Sequence, residues 1–247
     1  IESGVAFFIP VEQVVDRWVV LVDRLFDQSH PHEARVELDI AGRIAVTGIA
    51  ALTGGRDSDY TVPVMNVFVL NTGRCGSTTF IEACRHITNY TCGHETRAGR
   101  LGAERFAYPP NHIEADNRLS WFLGRCDRAY GDRAFYVHLT RDGRAVARSF
   151  ARRFSGGIIR SYRRGMLMRL PRRCDPEAIA ADYCETVTRN IELFLKDKTR
   201  KMGIALETAE ADFPRFWRAI GAEGDLDAAL AEFRVPYNAS KQRLFSP

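Results

Sequence analysis

Apolar residues follow two patterns along the chain, and these patterns predict β-strands and α-helices in alternation. Short continuous apolar runs are typical of strands buried on both faces, whereas apolar residues three and four positions apart predict amphipathic helices. The runs predict strands at residues 64–70, 134–139 and 204–206. The helical spacing predicts helices at residues 77–87, 116–130, 144–154, 176–198, 213–220 and 226–233. Strands that alternate with helices favour an α/β fold with a mostly parallel central sheet flanked by helices.

The first part of the chain has a different pattern. Residues 11–26 have helical spacing, and residues 34–49 alternate apolar and polar positions around a glycine, as in a β-hairpin. The sequence GGRDS at residues 54–58 is the expected boundary because glycines and polar residues cluster there. We therefore expect an N-terminal extension at residues 1–62, packed on a core domain at residues 63–247.

The segment from Asn66 to Thr79 combines a buried strand, a glycine-containing loop and the start of a helix. It ends in NTGRCGSTT, with Arg74 inside the loop and three hydroxyl residues at the helix start. Backbone N–H groups at a helix N-terminus and the helix dipole both favour an anion there. The loop lacks the GxxxxGK[ST] spacing of nucleotide triphosphatases. We therefore expect it to bind a phosphate-like group, and not a magnesium-bound triphosphate.

Charge and hydropathy narrow the choice of partners. The chain of 247 residues has a net charge of +4, and its arginines are concentrated between residues 148 and 173. This concentration indicates either a solvated face or a surface for an anionic cofactor or acidic substrate. No nucleic-acid-binding motif accompanies it, so we do not expect a nucleic-acid partner. No apolar run reaches the roughly 18 to 20 residues that span a bilayer, and we expect a cytoplasmic protein without a transmembrane segment.

The six cysteines form neither a CxxC pair nor a set with zinc-finger spacing, and we expect reduced thiols. Cys75 lies in the phosphate loop, where a helix start can lower the pKa of a thiol and make it a nucleophile. A tyrosine phosphatase loop, however, has an arginine after Cys and five further residues, and Ile81 occupies that place here. A phosphatase is therefore not favoured. No acidic metal-binding cluster stands out, and no metal is expected.

The phosphate loop resembles the phosphosulfate loop of sulfotransferases that use 3′-phosphoadenosine 5′-phosphosulfate. A second match is Arg141, at the end of a predicted strand, with Ser149 eight residues later in a helix. The family binds the 3′-phosphate of its cofactor with such a pair, and an arginine fork with a neutral hydroxyl donor suits a dianion. The resemblance implies a P-loop-type three-layer fold. It also implies cofactor binding by Arg74, Cys75, Gly76, Ser77, Thr78, Thr79, Arg141 and Ser149.

The sequence CGHETR at residues 92–97 resembles CGEETR of tyrosylprotein sulfotransferases. This resemblance implies that Glu95 is the general base. His94 replaces the first glutamate of the family pattern, which leaves open whether His94 shares or takes the base role. Arg97 matches an arginine that contacts substrate, and Arg74 is expected to stabilise the charge on the departing phosphate. The resemblance is close over residues 66–149 and looser over residues 202–241.

These matches imply a sulfotransferase that transfers a sulfuryl group to a hydroxyl group by in-line displacement, releases adenosine 3′,5′-bisphosphate and uses no metal. We expect a carbohydrate or hydroxylated small molecule as the acceptor, and the arginines would suit an anionic one. Arg97, His112 and Trp121 are the expected acceptor contacts, with core packing as the alternative for Trp121 and a helix start as the alternative for the segment after His112. A tyrosine or peptide acceptor, a P-loop small-molecule kinase and a non-catalytic anion-binding module stay open as alternatives.

Overall fold

The computed structural model describes residues 35–38, 44–47, 65–170, 174–235 and 237. The chain divides into two compact units, Ile1–Val64 and Met65–Pro247. In the first unit, strands β1 (Arg35–Leu38) and β2 (Ile44–Thr47) pair antiparallel. This pairing confirms the predicted hairpin. The helix predicted at residues 11–26 and the boundary loop at residues 54–58 lie outside the described residues.

The second unit is built on a parallel sheet. Its strands are β3 (Val67–Leu70), β4 (Thr91–His94), β5 (His112–Ala115), β6 (Phe135–Thr140) and β7 (Lys201–Ala205). The 5 strands lie in the order β4-β5-β3-β6-β7, and all neighbouring pairs are parallel. The central strand β3 is completely buried, as its apolar sequence VFVL requires.

Helices cover this sheet, which confirms the predicted α/β class. They are α1 (Ser77–Cys84), α2 (Leu123–Tyr130), α3 (Gly143–Ala151), α4 (Gly157–Ser161), α5 (Pro176–Leu195), α6 (Ala209–Ala219) and α7 (Leu226–Ala231). The predicted start of α5 is confirmed, because the carboxylate of Asp175 accepts from the N–H of Glu177 and Pro176 occupies the first turn. Among the described residues, no helix is both long enough and apolar enough to cross a membrane.

Two strands were absent from the prediction. β4 has the sequence TCGH and β5 the sequence HIEA, and neither has an apolar run. The segment that begins at His112 was expected to bind sugar hydroxyls or to start a helix, but it is a buried strand. The helix predicted at residues 116–130 is also interrupted. A 3₁₀ helix at Asn117–Trp121, capped by Asp116, precedes α2.

The connections of the sheet determine where a ligand can bind. From β3 the chain runs to the edge strand β4, returns through β5, and then passes β3 to reach β6 and β7. Ligands of such sheets bind beyond the carboxyl ends of the strands, next to the point where the strand order reverses. The segments that leave the strands at this edge begin at Asn71, Glu95, Asp116, Arg141 and Leu206.

Candidate functional site

The loop between β3 and α1 has a tight shape that its own residues stabilise. Oδ1 of Asn71 accepts from the N–H of Gly73 at 2.8 Å, and Nδ2 of the same side chain donates to the carbonyl of Val69 at 3.0 Å. Gly76 has a φ of 81°, and a Cβ atom there would lie 2.4 Å from Cδ1 of Leu206. Arg74 adopts the left-handed region as well, with a φ of 61°.

Residues far along the chain hold this loop from behind. The hydroxyl of Tyr183, on α5, donates to the carbonyl of Thr72 at 2.8 Å, and that of Ser120 donates to the carbonyl of Asn71 at 3.3 Å. Trp121 stacks on Tyr183 with ring centroids 6.3 Å apart. Trp121, one of the predicted acceptor contacts, is half-buried and therefore belongs in part to the packing that supports the loop.

The N-terminus of α1 faces the carboxyl edge of the sheet with its backbone N–H groups uncapped by any side chain. Gly76 occupies the N-cap position, and the first turn contains no acidic residue. Ser77, Thr78 and Thr79 form this turn, as the sequence predicted. Such an end is suited to an anion because both the N–H groups and the helix dipole attract negative charge.

The predicted 3′-phosphate pair lies against the loop. Nε of Arg74 donates to Oγ of Ser149 at 3.0 Å, and Nη1 of Arg141 donates to the carbonyl of Arg74 at 3.2 Å. The pKa of Arg74 is lowered, first by burial and then by the positive charges of Arg153, Arg141 and Arg152. Repulsion among these guanidinium groups is relieved by an anion bound between them.

Asp142, which follows Arg141 in sequence, does not pair with it. The carboxylate of Asp142 caps α3 by accepting from the N–H of Ala145 at 2.8 Å. The N–H of Asp142 donates in turn to Oε1 of Glu207 at 2.9 Å. Within the described part of the chain, Arg141 forms no ion pair, and its Nη1 donates to the carbonyl of Arg74.

Glu95 and His94 lie at the carboxyl end of β4, next to the phosphate loop. Oγ of Ser77 and Nε2 of His94 are 2.9 Å apart, which connects His94 to the start of α1. Glu95 has a φ of 58°, and its N–H donates to the carbonyl of Ala115 at 3.0 Å. Its Oε2 is 2.8 Å from Nη1 of Arg118, and among the described residues Oε1 has no hydrogen-bond partner. Glu95 thus has one anchored and one accessible oxygen.

A buried ion network supports this glutamate, and the sequence did not predict it. Arg118 also lies 3.3 Å from Oδ1 of Asp116, whose Oδ2 is 2.9 Å from Nη2 of Arg105. Asp116 is 0% exposed and Arg105 is 3% exposed. Burial raises the pKa of Asp116, against the opposing effects of the Arg118 N–H and the charges of Arg105 and Arg118. One feature of the sequence could have indicated this network, namely the position of Asp116 directly after β5, at the edge of the sheet where ligands bind.

Glu114 fixes the turn that carries Glu95. Although it is 0% exposed, its carboxylate accepts from the N–H and Oγ1 of Thr96, both at 2.7 Å, and lies 2.9 Å from Nε2 of His112. A Cβ atom at Gly93 would lie 2.2 Å from Cγ2 of Thr96, so glycine is required for this approach.

His112 is not placed for the acceptor contact that the sequence suggested. It is the first residue of β5 and therefore lies at the edge of the sheet opposite the phosphate loop. Its ring is 6% exposed, bonds to Thr91 through Nδ1 and stacks on Tyr108. Its ring helps to orient the carboxylate of Glu114 through the contact of Nε2 with Oε2. Arg97, by contrast, is half-buried beside Tyr108 on the segment after Glu95.

Cys75 is a buried thiol that supports the loop. Its Sγ donates to the carbonyl of Gly73 at 3.3 Å and lies 3.1 Å from Oγ1 of Thr72. Burial raises the pKa of Cys75, contrary to the lowering that its position near a helix start suggested. It is therefore not poised as a nucleophile. All six cysteines are free thiols.

Comparison of the sequence with protein-family models and with curated proteins finds no match. The described residues contain no group of three or more His, Cys, Asp or Glu side chains placed to hold a metal ion. The chemistry of the site therefore has to be argued from its geometry. It combines an uncapped helix start, several arginines and a carboxylate with one accessible oxygen.

Proposed function

We propose that this chain is a sulfotransferase that uses 3′-phosphoadenosine 5′-phosphosulfate. The observation that carries the proposal is the contact between Arg74 and Ser149, at 3.0 Å and 75 residues apart in sequence. The sequence assigns these residues to two different phosphate sites of one nucleotide. A nucleotide with two phosphate groups can be bound only if both sites lie close together at the carboxyl edge of the sheet. The contact between Arg74 and Ser149 brings the two sites together there.

The donors of the site fit such a ligand. The N-terminus of α1 and the Ser77 hydroxyl suit the 5′-phosphate, and Arg141 and Ser149 suit the 3′-phosphate. When bound, the cofactor supplies an activated sulfuryl group, whose transfer leaves charge on the 5′-phosphate. Backbone N–H groups fixed beforehand at the start of α1 stabilise this charge without reorganising.

Glu95 is the better candidate for the base than His94. Nε2 of His94 is already engaged with the hydroxyl of Ser77. Glu95 is held through Oε2 by Arg118, which leaves Oε1 to accept the proton of an acceptor hydroxyl. A carboxylate held on one side and accessible on the other meets the geometric requirement for general base catalysis.

The acceptor is proposed to be a glycan or hydroxylated small molecule, with a tyrosine or peptide as the alternative. Arg97 and the half-buried Trp121 are retained as candidate acceptor contacts. The exposed arginines on α3 and α4, among them Arg144, Arg148 and Arg160, favour an anionic acceptor. Six free thiols favour a reducing compartment such as the cytoplasm.

Calorimetric titration with adenosine 3′,5′-bisphosphate tests the proposal directly. We expect the bisphosphate to bind and ATP with Mg²⁺ to bind much more weakly. Arg141→Ala should weaken bisphosphate binding by about 1.5–3 kcal/mol, the range for hydrogen bonds to charged groups. No binding at millimolar bisphosphate would overturn the proposal. Mg²⁺-dependent ATP turnover would indicate a kinase, and polyanion binding that is indifferent to Arg141→Ala would indicate a binding module.

A further inference from the structure

Arg74 belongs to the 5′-phosphate loop by sequence, but its side chain lies at the 3′-phosphate residues. Its Nε contacts Ser149, and its carbonyl accepts from Arg141. We propose that Arg74 binds the 3′-phosphate and makes the site specific for 3′-phosphorylated nucleotides. This inference rests on the proposed function and changes the role that the sequence resemblance implies for Arg74, which was to stabilise the departing phosphate.

The distance between the two side chains supports this assignment. Nε of Arg74 is 3.0 Å from Oγ of Ser149. A phosphate oxygen that accepts from Ser149 lies about 2.8 Å from the same Oγ, and hence at most about 6 Å from Nε of Arg74. Ion pairing between a guanidinium and a dianion is strong over this range in a partly buried site. A phosphate held by Ser149 is therefore also held by Arg74.

The side chain of Arg74 is fixed from both ends. Its backbone has a φ of 61° and is bonded by Arg141, and its Nε is bonded by a serine that is 3% exposed. Ser149 is buried on α3, which packs against α5, so it has little freedom to follow a moving partner. The three residues thus form one preorganised group of donors, which favours binding because few side chains must be ordered.

The surrounding positive charge favours a second phosphate group. Arg141, Arg152 and Arg153 lie close enough to lower the pKa of Arg74, after the larger effect of burial. Within the described residues none of these three forms an ion pair, and Asp142, the sequence neighbour of Arg141, caps α3 instead. A 5′-mononucleotide places its phosphate at the start of α1 and brings no second negative charge to these arginines. The 3′-phosphate supplies it.

The test compares two nucleotides by calorimetry. Adenosine 3′,5′-bisphosphate and adenosine 5′-monophosphate are titrated into the wild type, Arg74→Met and Arg74→Lys. The control is Arg128→Met, which removes the same charge from an exposed position on α2. Thermal unfolding of each variant confirms that it is folded. We expect the wild type to bind the bisphosphate about 100-fold tighter than the monophosphate.

The decisive comparison is the loss on substitution. Arg74→Met should weaken bisphosphate binding by about 10- to 100-fold and monophosphate binding by less than about 3-fold. The bisphosphate affinity of Arg74→Lys should lie between those of Arg74→Met and the wild type. Arg128→Met should bind both nucleotides as the wild type does. Equal losses for both nucleotides would place Arg74 at the 5′-phosphate and overturn the inference, while leaving the proposed function intact. Equal affinity of the wild type for both nucleotides would overturn the inference too. Failure of both to bind would overturn the inference and the proposed function together.

Discussion

Replacing the buried Arg105 with methionine is expected to lower the free energy of unfolding by about 3–5 kcal/mol, because it leaves the charge of Asp116 buried and partly unpaired. Nη2 of Arg105 lies 2.9 Å from Oδ2 of Asp116, and Nη1 donates to the carbonyls of Arg97 and Ala98 at 3.0 and 2.6 Å. A loss of this size is a large part of the roughly 5–15 kcal/mol that stabilises a typical domain.

The effect of pH follows from the pKa of Asp116. Burial raises this pKa in the folded protein, so the folded state binds a proton more tightly than the unfolded state does. The free energy of unfolding therefore falls as pH rises from the ordinary carboxyl range through the folded-state pKa. Arg105 opposes this rise in pKa. Removing Arg105 raises the folded-state pKa of Asp116 further, so stability is lost over a pH range that extends to higher pH. The difference in the free energy of unfolding between the wild type and Arg105→Met should therefore grow as pH rises from about 4.

Urea unfolding of the wild type and variants between acid and neutral pH measures both effects. Arg100→Met is the matched control, because Arg100 pairs with Glu104 at 3.8 Å on the surface, with both side chains more than 60% exposed. It should cost less than about 1 kcal/mol. Adding Asp116→Asn to Arg105→Met should recover part of the loss by removing the buried charge. Equal costs for the two arginine variants, or a deficit that does not change with pH, would refute the reasoning.

Three other predictions concern the site itself. Gly76→Ala should weaken both stability and bisphosphate binding, because the added Cβ would lie 2.4 Å from Leu206 and φ at this position is 81°. Melting curves of the double variant Gly76→Ala/Leu206→Ala should show partial recovery of stability. A Gly76→Ala protein as stable as the wild type would contradict the geometry. Cys75 should react with iodoacetamide far more slowly than the half-buried Cys174 at pH 8, because burial raises the pKa of Cys75. Mass spectrometry follows the labelling of each cysteine. Equal labelling rates for the two cysteines would exclude a protected thiol at position 75. Glu95→Gln should have an affinity for the bisphosphate within about 3-fold of the wild type, since the change removes no donor from the phosphate site. It should not transfer sulfate from labelled cofactor to any acceptor that the wild type uses. Full turnover by this variant would exclude Glu95 as the base.

The sequence predicted those parts of the fold that are built from apolar runs. β3 and β6 lie within the predicted segments 64–70 and 134–139, apart from Thr140 at the end of β6, because most of their side chains are buried on both faces. β4 and β5 were missed for the opposite reason. β5 contains His112 and Glu114, and such polar residues enter a core only when hydrogen-bond partners satisfy them, here Thr91 and Thr96 from another part of the sequence.

The candidate site was predictable only where its residues are close together in sequence. The phosphate loop and the pair of Arg141 and Ser149 follow from local spacing and from the family resemblance. Arg118, which anchors Glu95, becomes apparent only once β4 and β5 are seen to be neighbours, with His94 opposite Ala115. Local periodicity contains no information about which strand ends meet, so contacts of this kind cannot be found from one sequence.

The hydrogen bond from Tyr183 to the carbonyl of Thr72 connects the phosphate loop to the middle of the longest described helix. A loop tied in this way is held by the core as well as by its own residues, since opening it also breaks a bond to a buried side chain of α5. We expect the amides of the loop to exchange with solvent as slowly as those of the core strands, and not at the faster rate typical of ligand-binding loops. The binding site would then persist for as long as the whole domain stays folded.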